Sequence, residues 1–286
     1  MSKIYDSITE LVGHTPLVEL KNYEKELGLK AHLLGKLEYF NPTGSVKDRV
    51  ALNMIIEAEK SGELKPGGAI LDFTSGNTGI ATAAFANAMG YKYAVVIQPG
   101  VSAERTAILK AYGVTLLQAD DVPGFREMLD NGGLSMKVLT KIILTDGAKG
   151  MKGAIAKANE LAEEIENSFI PAQFENQANP EAHRKTTGPE IWEDTEGKVD
   201  YVVQLVGTGG TLAGLSKFMK EKNPDVKIIG AQPAKASRRT PQNPNPNTID
   251  GVLAFDGVPS QSIPTFFDED NLPYDECIDI LAEDAY

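Results

Sequence analysis

Lys47 stands in a segment whose residue types suit nucleophilic chemistry, Asn41-Pro-Thr-Gly-Ser-Val-Lys-Asp-Arg49. We expect Ser45 to cap a helix there, with Asp48 completing a capping box three residues later. Lys47 then lies in the first helical turn, where the positive end of the helix dipole favours a neutral amine. A neutral amine attacks an aldehyde to give a Schiff base. On this motif alone, an ordinary surface lysine is the alternative.

A second segment, Phe73-Thr-Ser-Gly-Asn-Thr-Gly79, stands between an apolar run and a helical pattern over Ile80 to Met89. Its backbone N–H groups, hydroxyls and amide are donors that converge on an anion at a helix start, and a carboxylate suits them best. The alternative is a tight turn with ordinary helix caps.

The third segment is Val206-Gly-Thr-Gly-Gly-Thr-Leu-Ala-Gly214, again between a strand pattern and a helix pattern. Glycine lets a ligand approach the backbone closely, and the start of a helix favours phosphate. A dinucleotide fingerprint would need glycine at position 212, which is Leu212. No Gly-Lys-Ser or Gly-Lys-Thr occurs, so a nucleoside triphosphate loop is excluded and a small phosphate is favoured.

These three segments form one chemical set: a lysine for imine chemistry, a carboxylate-binding turn and a small-phosphate loop. A cofactor that joins an aldehyde to a phosphate uses all three when its substrate is an amino acid. The set therefore predicts pyridoxal phosphate acting on an amino acid.

The elements that must position these segments alternate between strands and helices. The strand patterns are almost continuously apolar, as in a parallel sheet buried on both faces, and they predict an α/β fold. The predicted strands are Ala69 to Phe73, Tyr93 to Ile97, Val114 to Leu117, Ile142 to Leu144, Tyr201 to Val206 and Lys227 to Ala231. Helical periodicity covers Ser45 to Glu59 and Ala154 to Asn167, and a proline-rich surface loop is expected over Ala234 to Asn247.

Composition excludes several other classes of function. The 286 residues carry a formal charge of −12, which argues against a nucleic-acid partner. Cys277 is the single cysteine, so neither an intrachain disulfide nor a multi-cysteine metal site can form, and no metal is expected. The sequence has no signal-peptide pattern and no run of 18 apolar residues, so we expect a cytoplasmic protein without a membrane span.

The ordered motifs resemble the cysteine synthase (O-acetylserine sulfhydrylase) family of fold type II pyridoxal-phosphate enzymes. Besides the three segments above, the matching motifs are Gly13 to Leu17, Val101 to Arg105, Gly147 to Gly153, Gln173 to Asn176 and Lys185 to Ile191. The resemblance implies two three-layer α/β domains with mostly parallel twisted sheets, as in the tryptophan synthase β subunit. Residues 1–40 with 149–286 would form the larger, cofactor-binding domain, residues 41–148 a smaller mobile one, and the protein a homodimer.

The resemblance also implies roles for individual residues. Lys47 would hold pyridoxal phosphate covalently and then move the Cα proton of the substrate. Asn77 would bond the ring hydroxyl of the cofactor, and Gly251 would begin a loop facing the substrate amine. The phosphate would be held by Gly207, Thr208, Gly209, Gly210 and Thr211, and the substrate carboxylate by Thr74, Ser75, Gly76, Thr78 and Gln173.

The implied reaction is a β-replacement in which sulfide displaces the acetoxy group of O-acetyl-L-serine to give L-cysteine and acetate. Cystathionine β-synthase and cysteine desulfhydrase activities are alternatives that use the same early steps. A third alternative is a catalytically impaired form that binds the cofactor or the C-terminal tail of serine acetyltransferase. A nicotinamide enzyme is opposed by Leu212.

Other reactive side chains in the matching segments are expected to be structural. His14 and His183 lack a setting for acid–base work, and Arg105 is expected at a helix start. Cys277 opens an apolar run, which favours a packed thiol.

The sequence departs from the family pattern in two places. Two strand patterns, Val114 to Asp120 and Ile142 to Asp146, compete for one expected strand, with the unusual segment 121–141 between them. That segment is either an insertion or the junction of a composite chain, in which the competition would frustrate folding. The chain also appears truncated at its C-terminus, where Ala282 to Tyr286 reads as a first helical turn. No residue can therefore be nominated to contact the pyridine nitrogen.

Overall fold

A computed structural model of the protein describes residues 4–74, 76–97, 101–118, 140–145, 150–238, 240, 243, 246–249, 251–257, 263–267 and 272–284. The strands in these ranges are β1 (Leu17–Glu19), β2 (Leu34–Lys36), β3 (Ala69–Asp72), β4 (Lys92–Ile97), β5 (Val114–Gln118), β6 (Thr140–Leu144), β7 (Ser168–Phe169), β8 (Tyr201–Leu205), β9 (Lys227–Pro233) and β10 (Glu276–Ile280). The α-helices are α1 (Lys21–Glu26), α2 (Lys47–Ser61), α3 (Asn77–Met89), α4 (Ala103–Ala111), α5 (Gly150–Glu164), α6 (Ala178–Ala182), α7 (Gly188–Asp194) and α8 (Gly210–Lys222). A π-helical segment, His183–Thr187, joins α6 to α7.

The chain divides into two compact units with boundaries that differ from the predicted domains. The first unit comprises Met1–Pro16 and Leu37–Ala172, and the second comprises Leu17–Lys36 and Gln173–Tyr286. Residues 149–172 were expected in the domain that holds most of the C-terminal half. They belong to the first unit because β7 pairs with β3, and α5 packs on β3 and β4. Movement of a smaller domain stays a prediction.

The first unit is built on a parallel sheet with the order β5-β6-β4-β3-β7. Both faces of this sheet are covered, which explains why its central strands β3 and β4 are mostly apolar. One cluster of buried side chains includes Ile70, Tyr93 and Phe85, and the cluster on the opposite face includes Leu71 and Leu161. The predicted α/β class with mostly parallel strands is confirmed.

The two strands expected to compete each have their own position in this sheet. The central strand β4 pairs with β6, with Val95 opposite Ile142, and β6 pairs in turn with β5, with Leu116 opposite Ile142. The competition that motivated the composite-chain hypothesis is therefore not observed. Most of the unusual segment 121–141 lies outside the described residues.

The second unit contains an antiparallel pair, β1 and β2, and a parallel sheet with the order β10-β9-β8. Helix α8 and neighbouring segments cover one face, where Val202 and Val206 of the β8 region pack with Leu212 and Leu215. On β8 the alternating side chains Tyr201, Val203 and Leu205 are 68%, 61% and 43% exposed, an unusually apolar surface.

The last described segment ends differently from the predicted helix. Residues Ala282–Asp284 form a turn of 3-10 helix after β10. The N–H of Ala282 donates to the hydroxyl of Ser237 at 2.9 Å, so a side chain from the loop after β9 satisfies the start of this turn. No described helix is long and apolar enough to cross a membrane.

A buried ion pair joins the start of α2 to the segments before it. Arg49 is 2% exposed, and its Nε and Nη2 donate to the two carboxylate oxygens of Glu38 at 2.7 and 2.8 Å. Glu38 also accepts from Thr15 Oγ1 at 2.6 Å and from Asn41 Nδ2 at 3.0 Å. The Asn41 side chain in turn accepts the N–H of Gly13 at 2.8 Å. One carboxylate therefore organises the Gly13 to Leu17 motif and the first turns of α2.

Replacing Glu38 by Gln should lower the free energy of unfolding of the first unit by about 3 kcal/mol, because Arg49 would keep a buried charge without its counter-ion. Urea unfolding followed by circular dichroism measures the loss. The matched control is Glu196→Gln, which breaks an exposed 2.6 Å pair with Lys198 and should cost less than about 0.5 kcal/mol.

The stabilisation that Glu38 provides should depend on pH. Burial is the largest single influence and raises the pKa of Glu38, but the hydrogen bonds and charge of Arg49, with the hydrogen bonds from Thr15 and Asn41, together outweigh it and hold the pKa below the ordinary value. The stabilisation is therefore present at neutral pH and is lost as the pH falls through the lowered pKa. The difference between wild type and Glu38→Gln should shrink in acid, and equal losses for both variants at neutral pH would contradict the assignment.

Candidate active site

The predicted phosphate loop of the second unit connects β8 to α8 and is closely packed at each of its glycines. A Cβ on Gly207 would lie 2.6 Å from the carbonyl oxygen of Gly251, and one on Gly210 would lie 2.0 Å from Asn179 Oδ1. Gly209 has a φ of +87° and precedes the first residue of α8. The glycines therefore allow a backbone path that side chains would obstruct, ending at the N–H groups of a helix start.

The two threonine hydroxyls of this loop contact buried side chains of the same unit. Thr208 Oγ1 accepts from Asn179 Nδ2 at 3.0 Å and from the N–H of Gly210 at 3.4 Å. Thr211 Oγ1 lies 3.1 Å from His183 Nε2. Neutral donors, rather than lysine or arginine, line the loop from Gly207 to Thr211.

Two further predicted residues lie beside the phosphate loop. The backbone carbonyl of Gln173 accepts from Asn179 Nδ2 at 2.7 Å, the same amide group that contacts Thr208. The Gly251 segment is attached by the N–H of Leu253, which donates to the carbonyl of Val206 at 2.7 Å. The second unit thus brings together the predicted phosphate-binding residues with Gln173 and Gly251.

The predicted carboxylate-binding turn lies in the first unit, between β3 and α3. Helix α3 begins at Asn77, three residues before the predicted start, with Gly76 as its N-cap. A Cβ on Gly79 would lie 2.1 Å from the carbonyl oxygen of Thr74, so the first helical turn closes directly onto the strand end. Thr78 is buried and Asn77 is exposed, whereas Ser75 lies outside the described residues.

Lys47 is the first residue of α2, as the sequence predicted, and its pKa is lowered. Burial, which disfavours the charged ammonium, lowers the pKa of Lys47 to about 8. The sequence had attributed a more stable neutral amine to the helix dipole, so the direction of the expected effect is right and its principal cause is different.

The predicted capping box at the start of α2 is wrong. The Ser45 hydroxyl does accept the N–H of Lys47 at 3.2 Å. Asp48, however, turns towards Thr43, whose N–H donates to Asp48 Oδ2 at 2.6 Å and whose hydroxyl donates to Oδ1. Thr43 offers two donors to one carboxylate, which outweighs the single backbone N–H that a capping box supplies.

Sequence reasoning missed a buried acid immediately before the carboxylate-binding turn. Asp72 is 3% exposed, and its Oδ1 accepts the N–H of Phe73 at 2.7 Å. Burial raises the pKa of Asp72 to about 7, despite the backbone hydrogen bonds that favour the carboxylate. The available signal was an acidic residue ending an otherwise apolar strand.

The remaining reactive side chains have structural settings. His14 has a φ of +48° and follows Gly13, whose N–H is held by Asn41. Arg105 lies in the first turn of α4, where its N–H donates to Oγ of the N-cap Ser102 at 3.3 Å, as expected for a helix start. Burial, followed by the neighbouring Asp256, raises the pKa of the Cys277 thiol to about 11, the opposite of an activated thiolate.

Two other features of the second unit lie apart from these residues. A surface cavity of about 660 Å³ is lined by α8 and by residues near Pro180 and Tyr274, and none of the predicted site residues line it. Glu19, Glu24 and His32 approach one another within 4.8 Å. Lys21 and His32 contact the Glu19 carboxylate at 3.0 and 2.6 Å, so these two side chains are the charge partners of Glu19.

Comparison with known proteins decides the family. A family described as "Pyridoxal-phosphate dependent enzyme" matches residues 8–254 of the chain. The chain belongs to this pyridoxal-phosphate-dependent family. A probable cysteine synthase of Bacillus subtilis (strain 168) is 42% identical over 289 residues, which cover 100% of this chain and 81% of that protein.

Solved structures agree with this assignment. The O-acetyl serine sulfhydrylase isoform 3 of Entamoeba histolytica matches with a TM-score of 0.79 and 36% identity, covering 99% of this chain and 75% of that one. An O-acetylserine dependent cystathionine beta-synthase of Helicobacter pylori matches with a TM-score of 0.76 and 32% identity, covering 99% and 81%. The resemblance to the cysteine synthase family and to its fold is confirmed.

The two glycines of the carboxylate-binding turn should respond differently to substitution. Gly79→Ala should lower the free energy of unfolding by about 2 kcal/mol or more, because its Cβ would overlap the Thr74 carbonyl. Gly76→Ala is the matched control, since its Cβ would meet nothing closer than Thr74 Oγ1 at 4.0 Å. Thermal unfolding compares the two variants, and equal destabilisation would contradict the close packing at Gly79.

The lowered pKa of Lys47 predicts an unusual pH profile for its modification. Only the neutral amine attacks an aldehyde, so labelling of Lys47 by formaldehyde and cyanoborohydride should be half-maximal near pH 8. In the urea-unfolded chain the same lysine should follow the ordinary value of about 10.4. Peptide mass spectrometry measures both profiles, and coincident profiles would show that burial does not act on this amine.

Proposed function

We propose that this protein is a pyridoxal-phosphate-dependent cysteine synthase. In the reaction, the bond between Cβ of O-acetyl-L-serine and the acetoxy oxygen breaks, a Cβ–S bond to sulfide forms, and L-cysteine and acetate are released. The observation that carries the proposal is the phosphate loop, a glycine cradle with two threonine hydroxyls at a helix start, in a chain of the pyridoxal-phosphate family. The cysteine synthase relatives, such as that of Bacillus subtilis, support the substrate.

The residues of the loop fit a phosphate ester. Close contacts at Gly207, Gly209 and Gly210 leave no room for side chains, so only glycine permits this backbone path into the start of α8. Thr208 and Thr211 add hydroxyl donors. When bound, pyridoxal phosphate supplies an electron sink for the negative charge that develops at Cα of an amino acid.

Lys47 is proposed as the covalent anchor and as the base that moves the Cα proton. Its lowered pKa keeps a larger fraction of the amine neutral at physiological pH than in an ordinary lysine, and the neutral amine both attacks an aldehyde and accepts a proton. A cationic lysine could do neither.

The turn from Thr74 to Thr78 is proposed to bind the substrate carboxylate, with Ser75, Gly76 and Gln173 as further contributors. The start of α3 supplies backbone N–H groups, which favour an anion. Asn77, which begins that helix, is proposed to bond the ring hydroxyl of the cofactor. Gly251 is proposed to border the substrate amine.

A cystathionine β-synthase activity is the second candidate, because the Helicobacter pylori neighbour acts from O-acetylserine and covers most of this chain. It would use homocysteine instead of sulfide as the acceptor. A cysteine desulfhydrase activity and a catalytically impaired cofactor-binding form are the remaining alternatives. We further propose a cytoplasmic homodimer that accepts the C-terminal tail of serine acetyltransferase at the substrate carboxylate site.

The absorption spectrum of the purified protein with pyridoxal phosphate tests the proposal. Wild type should show a visible band that borohydride abolishes, and Lys47→Ala should lack it, because the imine needs this amine. Wild type with O-acetyl-L-serine and sulfide should release cysteine, and the variant should lose at least about a thousandfold in rate. Lys36→Ala, which removes a lysine paired with Glu190 at 2.8 Å, is the control for loss of a partly buried amine.

Each outcome separates one alternative. Cystathionine formed from homocysteine faster than cysteine from sulfide would favour the second candidate. A band without either product would favour the cofactor-binding form. A folded wild type that gives no band would contradict the proposal.

A further inference from the structure

Two fully buried polar side chains stand behind the phosphate loop, and each contacts one of its threonines. Asn179 lies in α6, and His183 begins the π-helical segment; both are 0% exposed. Burying polar groups costs free energy unless they are hydrogen-bonded, so their partners indicate what they do.

Asn179 holds the Thr208 hydroxyl from behind. Its Nδ2 donates to Thr208 Oγ1 at 3.0 Å, and the N–H of Gly210 reaches the same oxygen at 3.4 Å. A hydroxyl has two acceptor lone pairs and one proton. With both lone pairs occupied, Thr208 has its proton left to donate.

His183 places its ring between two hydroxyls. Nδ1 lies 2.9 Å from Thr187 Oγ1, and Nε2 lies 3.1 Å from Thr211 Oγ1. A neutral imidazole has one N–H donor and one acceptor nitrogen, and both tautomers fit these distances. The inference concerns the tautomer in which Thr187 donates to Nδ1 and the ring proton is on Nε2. Nε2 then donates to Thr211, whose own proton is directed away from the ring.

The hydrogen bond between His183 and Thr187 lies within the π-helical segment, of which these are the first and last residues. Side chains four residues apart lie near each other on a helix, so the two can meet. Single π-helical turns inside α-helices occur frequently at functional sites.

We propose that Asn179 and His183 are positioning residues that direct the hydroxyl protons of Thr208 and Thr211 to a bound phosphate dianion. The inference rests on the proposed function, in which this loop holds the phosphate of pyridoxal phosphate. The Gly207 to Thr211 loop carries no lysine or arginine, so the donors that the loop itself offers to an anion are neutral. The orientation of each hydroxyl therefore matters more than it would beside a cation.

The test compares the dissociation constants of pyridoxal phosphate and pyridoxal for the cofactor-free protein. Both ligands carry the aldehyde, and only the first carries the phosphate, so their ratio isolates phosphate binding. Thr187→Val should weaken binding of pyridoxal phosphate about tenfold and leave pyridoxal unchanged, because Nδ1 loses its donor. Thr186→Val is the matched control, since the Thr186 hydroxyl donates to the carbonyl of Ala182 at 2.6 Å.

Substitutions of the histidine test the role of its Nε2. His183→Leu should weaken binding of pyridoxal phosphate about 30-fold, the loss of one hydrogen bond to an anion. His183→Gln, whose amide reaches towards the former Nε2 position, should restore affinity to within about threefold of wild type. In wild type with inorganic phosphate, the nitrogen NMR shifts of His183 should identify Nε2 as the protonated nitrogen.

The outcomes distinguish the positioning role of Asn179 and His183 from the proposed function. Tight binding of pyridoxal phosphate by wild type, with the same ratio in Thr187→Val and His183→Leu, overturns the positioning role and leaves the proposed function intact. Failure of wild type to bind pyridoxal phosphate overturns both. If His183→Leu does not fold, as circular dichroism would reveal, Thr187→Val against Thr186→Val still decides the inference.

Discussion

The buried pairing of Arg49 with Glu38 is the constraint on which the first unit depends. A guanidinium away from water must keep its carboxylate, and the geometry leaves little freedom because two parallel hydrogen bonds define one orientation. Arg49 is the second residue after Lys47 in α2. The ion pair therefore fixes the position and the direction of the helix that carries the lysine amine. The ion pair thus locates the amine that we propose as the covalent anchor.

In the proposed function the second unit has the opposite task, because its phosphate loop would attract an anion with neutral groups. Backbone N–H groups at the start of α8 and two hydroxyls are weaker than lysine, yet they are held in place before any ligand arrives. Preorganised dipoles need no reorganisation on binding, which compensates for the absence of a full charge. A Cβ on Gly210 would lie 2.0 Å from Asn179 Oδ1, so the side chain that contacts Thr208 also packs directly against the backbone of the loop.

The sequence predicted β3, β4, β5, β6, β8 and β9 to within two residues at each end, because apolar runs between helical patterns are a strong signal. It did not identify β1, β2 and β7, which are only two or three residues long. It identified the loop after β8 and the lysine at the start of α2, because each motif consists of residues that are adjacent in the sequence. The capping box failed because Asp48 had two candidate partners, and only the three-dimensional turn favours Thr43. His183 was expected to be structural, since nothing in the sequence shows that Thr187 and Thr211 meet its two ring nitrogens.

The exposed apolar face of β8 has a consequence for the behaviour of the protein in solution. Tyr201, Val203 and Leu205 form a stripe on an edge strand, the kind of surface through which separate molecules adhere. The charge of −12 opposes such contacts by mutual repulsion, and dissolved salt weakens that repulsion. Raising the ionic strength should therefore favour self-association through this stripe.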